Sequence, residues 1–131
     1  MKKLHFDAYF EHMLELVKET RDAGQKEYAH TEENVFANFA RIGESIDAKP
    51  DKVLMIYLLK HIDGINAYIK GHDSQREDVT GRIKDSIVYL FLLWAMADGE
   101  KALDAIANTT PNHYSQKSAI RNGVERVESM L

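Results

Sequence analysis

Residues 87–97 read IVYLFLLWAMA and residues 53–59 read VLMIYLL, and these are the most apolar stretches of the 131-residue chain. Apolar residues around them recur at helical spacing, which predicts two helices that are apolar on nearly every side. Neither helix can leave a polar face in water, so both must lie in the middle of the fold. The sequence therefore predicts an all-α helical bundle. Because so short a chain has few other helices to cover this pair, we also expect a dimer or higher homo-oligomer.

The rest of the chain adds helices around this pair. Thr31 is a suitable N-cap, and Pro50 suits the first turn of a helix, where its missing N–H costs nothing. Neither strand alternation nor an internal repeat is found. We therefore treat residues 1–131 as one domain, with residues 100–131 as a C-terminal helical extension. The predicted helices span about 6–24, 31–46, 51–70, 76–97 and 101–107, with a last one from Pro111.

Composition excludes several functional classes. Seventeen Lys and Arg residues face 21 Asp and Glu residues, so the net charge is −4 and the chain lacks the positive field of a general nucleic-acid binder. The absence of cysteine excludes disulfides, thiolate zinc sites, iron–sulfur clusters and cysteine nucleophiles. Neither a secretory signal nor a membrane span of about 20 apolar residues is found. We expect a cytoplasmic protein with no membrane partner.

Charged residues continue the apolar stripes of the two central helices. On the first of these helices Lys60 and Asp63 share one line, and on the second the line runs through Asp78, Arg82, Asp85 and Tyr89. Burying such charges unpaired would cost several kcal/mol each, so they must pair with one another or with a ligand. Two interpretations stay open. One is a structural ion-pair network, Lys60–Asp85 or Arg82–Asp63. The other is a ligand site, which Gly81 favours slightly, because a glycine within a helix often lets a ligand approach the backbone.

Two short motifs carry a resemblance to a known family. They are Lys60-His61-x-Asp63 on one helix and Glu77-x-x-x-Gly81-Arg82-Ile83-x-Asp85-x-x-x-Tyr89 on the next. The pattern resembles the nucleotide modification associated domain family, which is common in bacteriophages and is grouped with the MazG-like all-α nucleoside triphosphate pyrophosphohydrolases. The upstream segment, Tyr28 followed by NVFANFAR at residues 34–41, is similar to that family's tyrosine-then-Asn-Phe region. The resemblance covers about residues 20–97.

The resemblance implies a MazG-like, nucleotide-binding phage protein of the host cytoplasm that releases pyrophosphate from a nucleoside triphosphate. MazG-like enzymes hold Mg²⁺ with carboxylates spaced i, i+3 on two helices. Here the corresponding frames begin with the bases Lys60 and Arg82 instead of acids. Both cations suit phosphate oxygens, so the change preserves nucleotide binding better than it preserves hydrolysis.

The resemblance also implies roles for single residues. The catalytic residues, which also hold the Mg²⁺, are expected to be Asp63, Glu77 and Asp85. The substrate-binding residues are expected to be Lys60, His61, Arg82, Asn38 and Tyr89.

Other interpretations of the chain stay open. A binding protein without chemistry could sequester a nucleotide-derived signal and so act against host defence, and a helical interaction protein would bind no small molecule. The six histidines include no pair at metal-binding spacing, so we expect no zinc site. Glu19 and Asp22 stand at i, i+3 on the first helix, opposite its apolar stripe, and we interpret them as a solvated face.

Overall fold

The computed structural model of the protein describes residues 1–29, 33–72 and 76–109. Within these ranges there is no strand, so the all-α prediction is confirmed. No helix of the described ranges combines the length and the apolar character that a membrane span requires. The helix predicted from Pro111 lies outside the described residues. The α-helices are α1 (Lys3–Gly24), α2 (Ala37–Ile46), α3 (Pro50–Ile69), α4 (Val79–Asp98) and α5 (Glu100–Asn108).

The ends of the two central helices follow from local sequence. Pro50 stands in the first turn of α3, as predicted. Asp78 is the N-cap of α4, and its carboxylate accepts a hydrogen bond from the backbone N–H of Thr80 at 3.5 Å. Hydrogen bonds from Thr80 hold the pKa of Asp78 below its ordinary value. Asp78 therefore has a structural role at the start of α4.

Helix α2 begins later than predicted. The predicted N-cap, Thr31, lies outside the described residues, and the helix starts at Ala37 with Phe36 as its N-cap. Asn34 explains the difference. Its side-chain oxygen accepts a hydrogen bond from Phe36 N at 2.9 Å, and its backbone carbonyl accepts one from Ala37 N at 3.3 Å. A side chain that satisfies these N–H groups stabilises a turn in place of the helix.

The core lies where α2, α3 and α4 meet. Phe39, Val53 and Leu54 are buried, and partly buried side chains of α4 pack against them. Helices α3 and α4 run antiparallel, because the start of α3 packs against the end of α4 and Gly64, near the end of α3, lies beside Arg82. Helix α1 packs on α4, and α2 packs on α3. This arrangement puts the two predicted central helices side by side, with α1 and α2 as their neighbours.

A pair of glycine substitutions tests this packing. A Cβ atom on buried Gly43 would strike the carbonyl oxygen of Ala48, whereas one on Gly24 would meet nothing within 4 Å. We expect Gly43→Ala to lower the free energy of unfolding by about 1–3 kcal/mol, as overpacking does. Gly24→Ala should raise it by about 0.5–1 kcal/mol, because alanine favours helix. Urea denaturation measures both, and equal stability of the two variants would contradict the close approach of Gly43 to Ala48.

Candidate functional site

A cavity of about 590 Å³ opens between α1, α2, α3 and α4. Its volume is typical of small-molecule sites, which range over about 300–1,000 Å³. The walls are of two kinds. The aromatic wall consists of Tyr28, Phe39, Tyr57 and Tyr89. The charged wall includes Arg21, Glu27, Lys60, His61, Glu77 and Asp85.

The aromatic wall is fixed by contacts between rings from three helices. The rings of Tyr57 and Tyr89 stack with centroids 6.2 Å apart, and Phe39 meets them edge-on at 6.2 and 6.1 Å. Burial raises the pKa of Tyr89 to about 12, and the charge of nearby Asp85 acts in the same direction. The Tyr89 hydroxyl therefore stays protonated at neutral pH and keeps a hydrogen to donate.

The charged wall brings together His61 from α3, Asp85 from α4 and Glu77 just before the α4 N-cap. One potential ligand atom from each of the three lies within 4.8 Å of the other two. His61 Nε2 is 3.7 Å from Asp85 Oδ2, and the two side chains are 14% and 33% exposed. Gly81, in the first turn of α4, lies beside Glu77, and a Cβ there would meet Glu77 Oε1 at 3.4 Å, an ordinary contact distance. The arrangement offers two carboxylates and an imidazole to one ligand.

The partial burial of His61 and Asp85 reduces the stability of the fold, whereas Glu77 is exposed. Burial raises the pKa of Asp85; the charge of Glu77 and a hydrogen bond between the two side chains raise it further, and His61 opposes them. The Nδ1 atom of His61 is buried and has no hydrogen-bond partner among the described residues. A buried polar atom without a partner costs about 1–3 kcal/mol. Groups that are held in this way against their solvation are typical of functional sites.

The cavity wall includes most, but not all, of the predicted site residues. Those that line it are Asn38, Lys60, His61, Glu77, Asp85 and Tyr89. Asp63 is exposed and outside the wall. It follows His61 by two residues, so the two side chains diverge by about 160° around the helix. The structure therefore groups His61, and not Asp63, with the two carboxylates.

Arg82 also lies outside the cavity wall. Its side chain crosses α3 at Gly64, where a Cβ would come within 2.6 Å of Arg82 Cδ and Cζ. Its Nε atom is buried and without a hydrogen-bond partner in the described part of the chain. Neither of the ion pairs of the structural interpretation, Lys60–Asp85 and Arg82–Asp63, forms between these described residues. Within the described residues, the contact of this kind that joins α3 to α4 is His61–Asp85, which is an ion pair when the imidazole is protonated.

The contribution of α1 and of the π-helical turn that follows it, Gln25–Ala29, was not predicted from the sequence. Side chains from the end of α1 and from this turn line the cavity: Thr20, Arg21, Gln25, Glu27 and Tyr28. Glu19 and Asp22 are exposed, so their interpretation as a solvated face is confirmed. Only Tyr28 carried a signal, through the family resemblance. Short π-helical turns are frequent at functional sites.

Arg41 ties this turn to α2. Its Nη2 atom donates to the backbone carbonyl of Tyr28 at 3.1 Å and to Asn38 Oδ1 at 3.3 Å. The side-chain amide of Asn38 is thereby oriented at the cavity wall, with its oxygen engaged. A hydrogen bond from the Tyr28 hydroxyl to Glu27 raises the pKa of Tyr28. The turn thus adds a phenol and a carboxylate to the wall.

Comparison of the chain with models of known families, with curated proteins and with solved structures finds no match. The resemblance to nucleotide modification associated domain proteins therefore stays a prediction from short motifs. We therefore infer the function from the geometry of the cavity.

The raised pKa of Asp85 predicts a pH-dependent stability. The folded chain holds this proton more tightly than the unfolded chain does, so the free energy of unfolding falls as pH rises above the ordinary aspartate value of about 3.9 and through the raised pKa. Asp85→Asn removes the desolvated charge. We expect the variant to unfold at a higher temperature than the natural chain at pH 7, and the difference to shrink as pH approaches 4.

Thermal denaturation between pH 4 and 8 measures this difference. Asp63→Asn makes the same chemical change at an exposed position of the neighbouring helix and should leave the pH profile unaltered. A lower melting temperature for Asp85→Asn at pH 7 would mean that this carboxylate stabilises the fold.

Proposed function

We propose that the cavity binds a nucleotide or a nucleotide-derived small molecule. The observation that carries the proposal is that one cavity joins an aromatic wall to a charged wall of Lys60 and the His61–Glu77–Asp85 group. Aromatic rings suit a base, and the Lys60 ammonium suits a phosphate. The amide of Asn38 suits the hydrogen-bonding edge of a base or a ribose. The proposal concerns free nucleotides of the cytoplasm, the compartment that the sequence predicts.

We propose further that the site hydrolyses a nucleoside triphosphate to a monophosphate and pyrophosphate, as the family resemblance implies. The donor set fits Mg²⁺, which in proteins uses one or two carboxylates together with substrate phosphates and water. When bound, such an ion would activate a water molecule and neutralise charge on the phosphates. Glu77 and Asp85 would hold it, with His61 beside them. Lys60 and Arg21 would offset the remaining phosphate charge, and Tyr89 would donate a hydrogen bond.

A second function is favoured by the state of the two carboxylates. Glu77 and Asp85 each offer an oxygen within 4.8 Å of the other, and burial together with the charge of Glu77 raises the pKa of Asp85, so the pair can hold a proton where a metal enzyme would hold its ion. A site of this kind would retain a nucleotide-derived signal without hydrolysing it. It would bind without Mg²⁺ and release the ligand unchanged.

A thermal-shift series distinguishes these functions. Nucleoside triphosphates, diphosphates, cyclic nucleotides and ADP-ribose are added separately, each with Mg²⁺ and with EDTA. A ligand at 100 times its dissociation constant stabilises the fold by about 2.7 kcal/mol, which is several degrees for a chain of this size. A shift that requires Mg²⁺ supports hydrolysis, and a shift that persists in EDTA supports sequestration. The absence of any shift would contradict both and would favour a helical interaction protein.

Asp85→Asn tests hydrolysis directly. We expect this variant to lose pyrophosphate release while it stays folded, because the substitution removes one of the two carboxylates that would hold the ion. Asp63→Asn is the matched control, since Asp63 stands outside the cavity wall, and it should retain turnover. The assay follows pyrophosphate with a nucleotide that gives a Mg²⁺-dependent shift. Equal turnover of Asp85→Asn and the natural chain would rule out this metal site.

A further inference from the structure

Helices α3 and α4 expose a line of large apolar side chains each. These side chains, which we call the back face, are Met55, Leu59 and Ile62 on α3 and Ile83, Leu90 and Trp94 on α4. They are between 37% and 63% exposed. Along each helix their spacing is that of a single line of side chains.

The back face points away from the cavity. Each of its residues stands two positions from a residue that lines the cavity, as Leu59 does from His61 and Ile83 does from Asp85. Side chains two positions apart on a helix diverge by about 160°. Because α1 and α2 also line the cavity, they lie on the opposite side of the helix pair from the back face. The cavity and the back face are therefore the two sides of one pair of antiparallel helices.

No charged residue interrupts the two lines. They continue on α3 through Asn66 and Ile69 and on α4 through Val79 and Ala97. A helix surface that meets water ordinarily carries charges, but neither line contains one. The charged residue beside them is Asp98, whose carboxylate accepts a hydrogen bond from Trp94 Nε1 at 2.9 Å. The surface has the composition of a helix–helix interface.

The area of the back face matches that of a protein interface. Five aliphatic side chains and one tryptophan, each between 37% and 63% exposed, offer on the order of 500 Å² of apolar surface, in the upper half of the range of about 300–600 Å² for the largest patch of a monomer. A standard interface buries about 800 Å² on each partner, of which about 60% is apolar. The back face supplies that apolar area by itself.

We propose that a second copy of this chain covers the back face. Two antiparallel pairs of helices that meet face to face about a two-fold axis form a four-helix arrangement, which buries both back faces at once. A single helix, such as the one predicted from Pro111, would cover one groove of a surface that is two helices wide. The site of each copy stays open on the far side, so this dimer needs no nucleotide to form.

The oligomeric state and the fluorescence of Trp94 test this proposal together. Trp94 is the only tryptophan of the chain and lies on the back face, so its emission reports whether the face is covered. We expect light scattering to give twice the mass of one chain. Leu59→Lys and Leu90→Lys should each give the mass of one chain, with Trp94 emission at longer wavelength. The dissociation constant of the dimer should rise by at least about 100-fold, because a buried charge opposes association.

Ile106→Lys is the matched control, since Ile106 lies on α5 and is 41% exposed, close to the 52% of Leu90. This variant should remain a dimer, and circular dichroism should show equal helix content in every variant. Nucleotide shifts that persist in Leu90→Lys would separate this interface from the proposed site.

A natural chain that has the mass of one chain at all concentrations would overturn the proposal, and blue-shifted Trp94 emission in that monomer would identify the C-terminal segment as the cover. Face variants that remain dimers would also overturn it.

Discussion

The antiparallel pairing of α3 and α4 is the constraint on which the rest of the structure depends. Both helices are apolar around most of their surface, so each requires neighbours on several sides, and each supplies one to the other. The pairing sets the register that places His61 beside Asp85 and Gly64 beside Arg82. Helix α2 covers the core at Val53 and Leu54, and α1 packs against α4. The cavity is the space that remains between these four helices.

The contacts of this helix pair offset the free-energy cost of burying polar groups in a small protein. His61 Nδ1 and Arg82 Nε are buried without hydrogen-bond partners among the described residues, and Asp85 is partly desolvated. Each of these groups opposes folding. Apolar contacts along two 20-residue helices oppose that cost, and Gly64 allows the Arg82 side chain to lie close against α3. Groups that reduce stability persist where they serve a function, and the two of these that line the cavity, His61 and Asp85, support the proposed site there.

The sequence predicts the helices well and the site in part, for different physical reasons. Helix α3 lies within one residue of its prediction, because a proline start and an apolar repeat are local signals. The start of α2 was missed, because Asn34 competes with the helix through its side chain. Lys60, His61, Glu77 and Asp85 share the cavity wall, but Asp63 and Arg82 do not, since which face of a helix meets a neighbour depends on contacts between distant segments. For the same reason, the sequence did not predict that the π-helical turn and Arg21 line the cavity.

The division of each helix into two sides connects the proposed interface with the proposed site. Few apolar side chains are fully buried in the described chain, and much of the apolar surface that predicts a bundle lies on the back face. Covering that face would add contacts to α3 and α4 without touching the cavity. Close packing of a second copy against the back face would oppose changes in the distance between α3 and α4. His61 on α3 and Asp85 on α4 are 3.7 Å apart, and this distance depends on the separation of the two helices. Association of two copies would therefore fix the geometry of the site, although no residue of the back face lines the cavity.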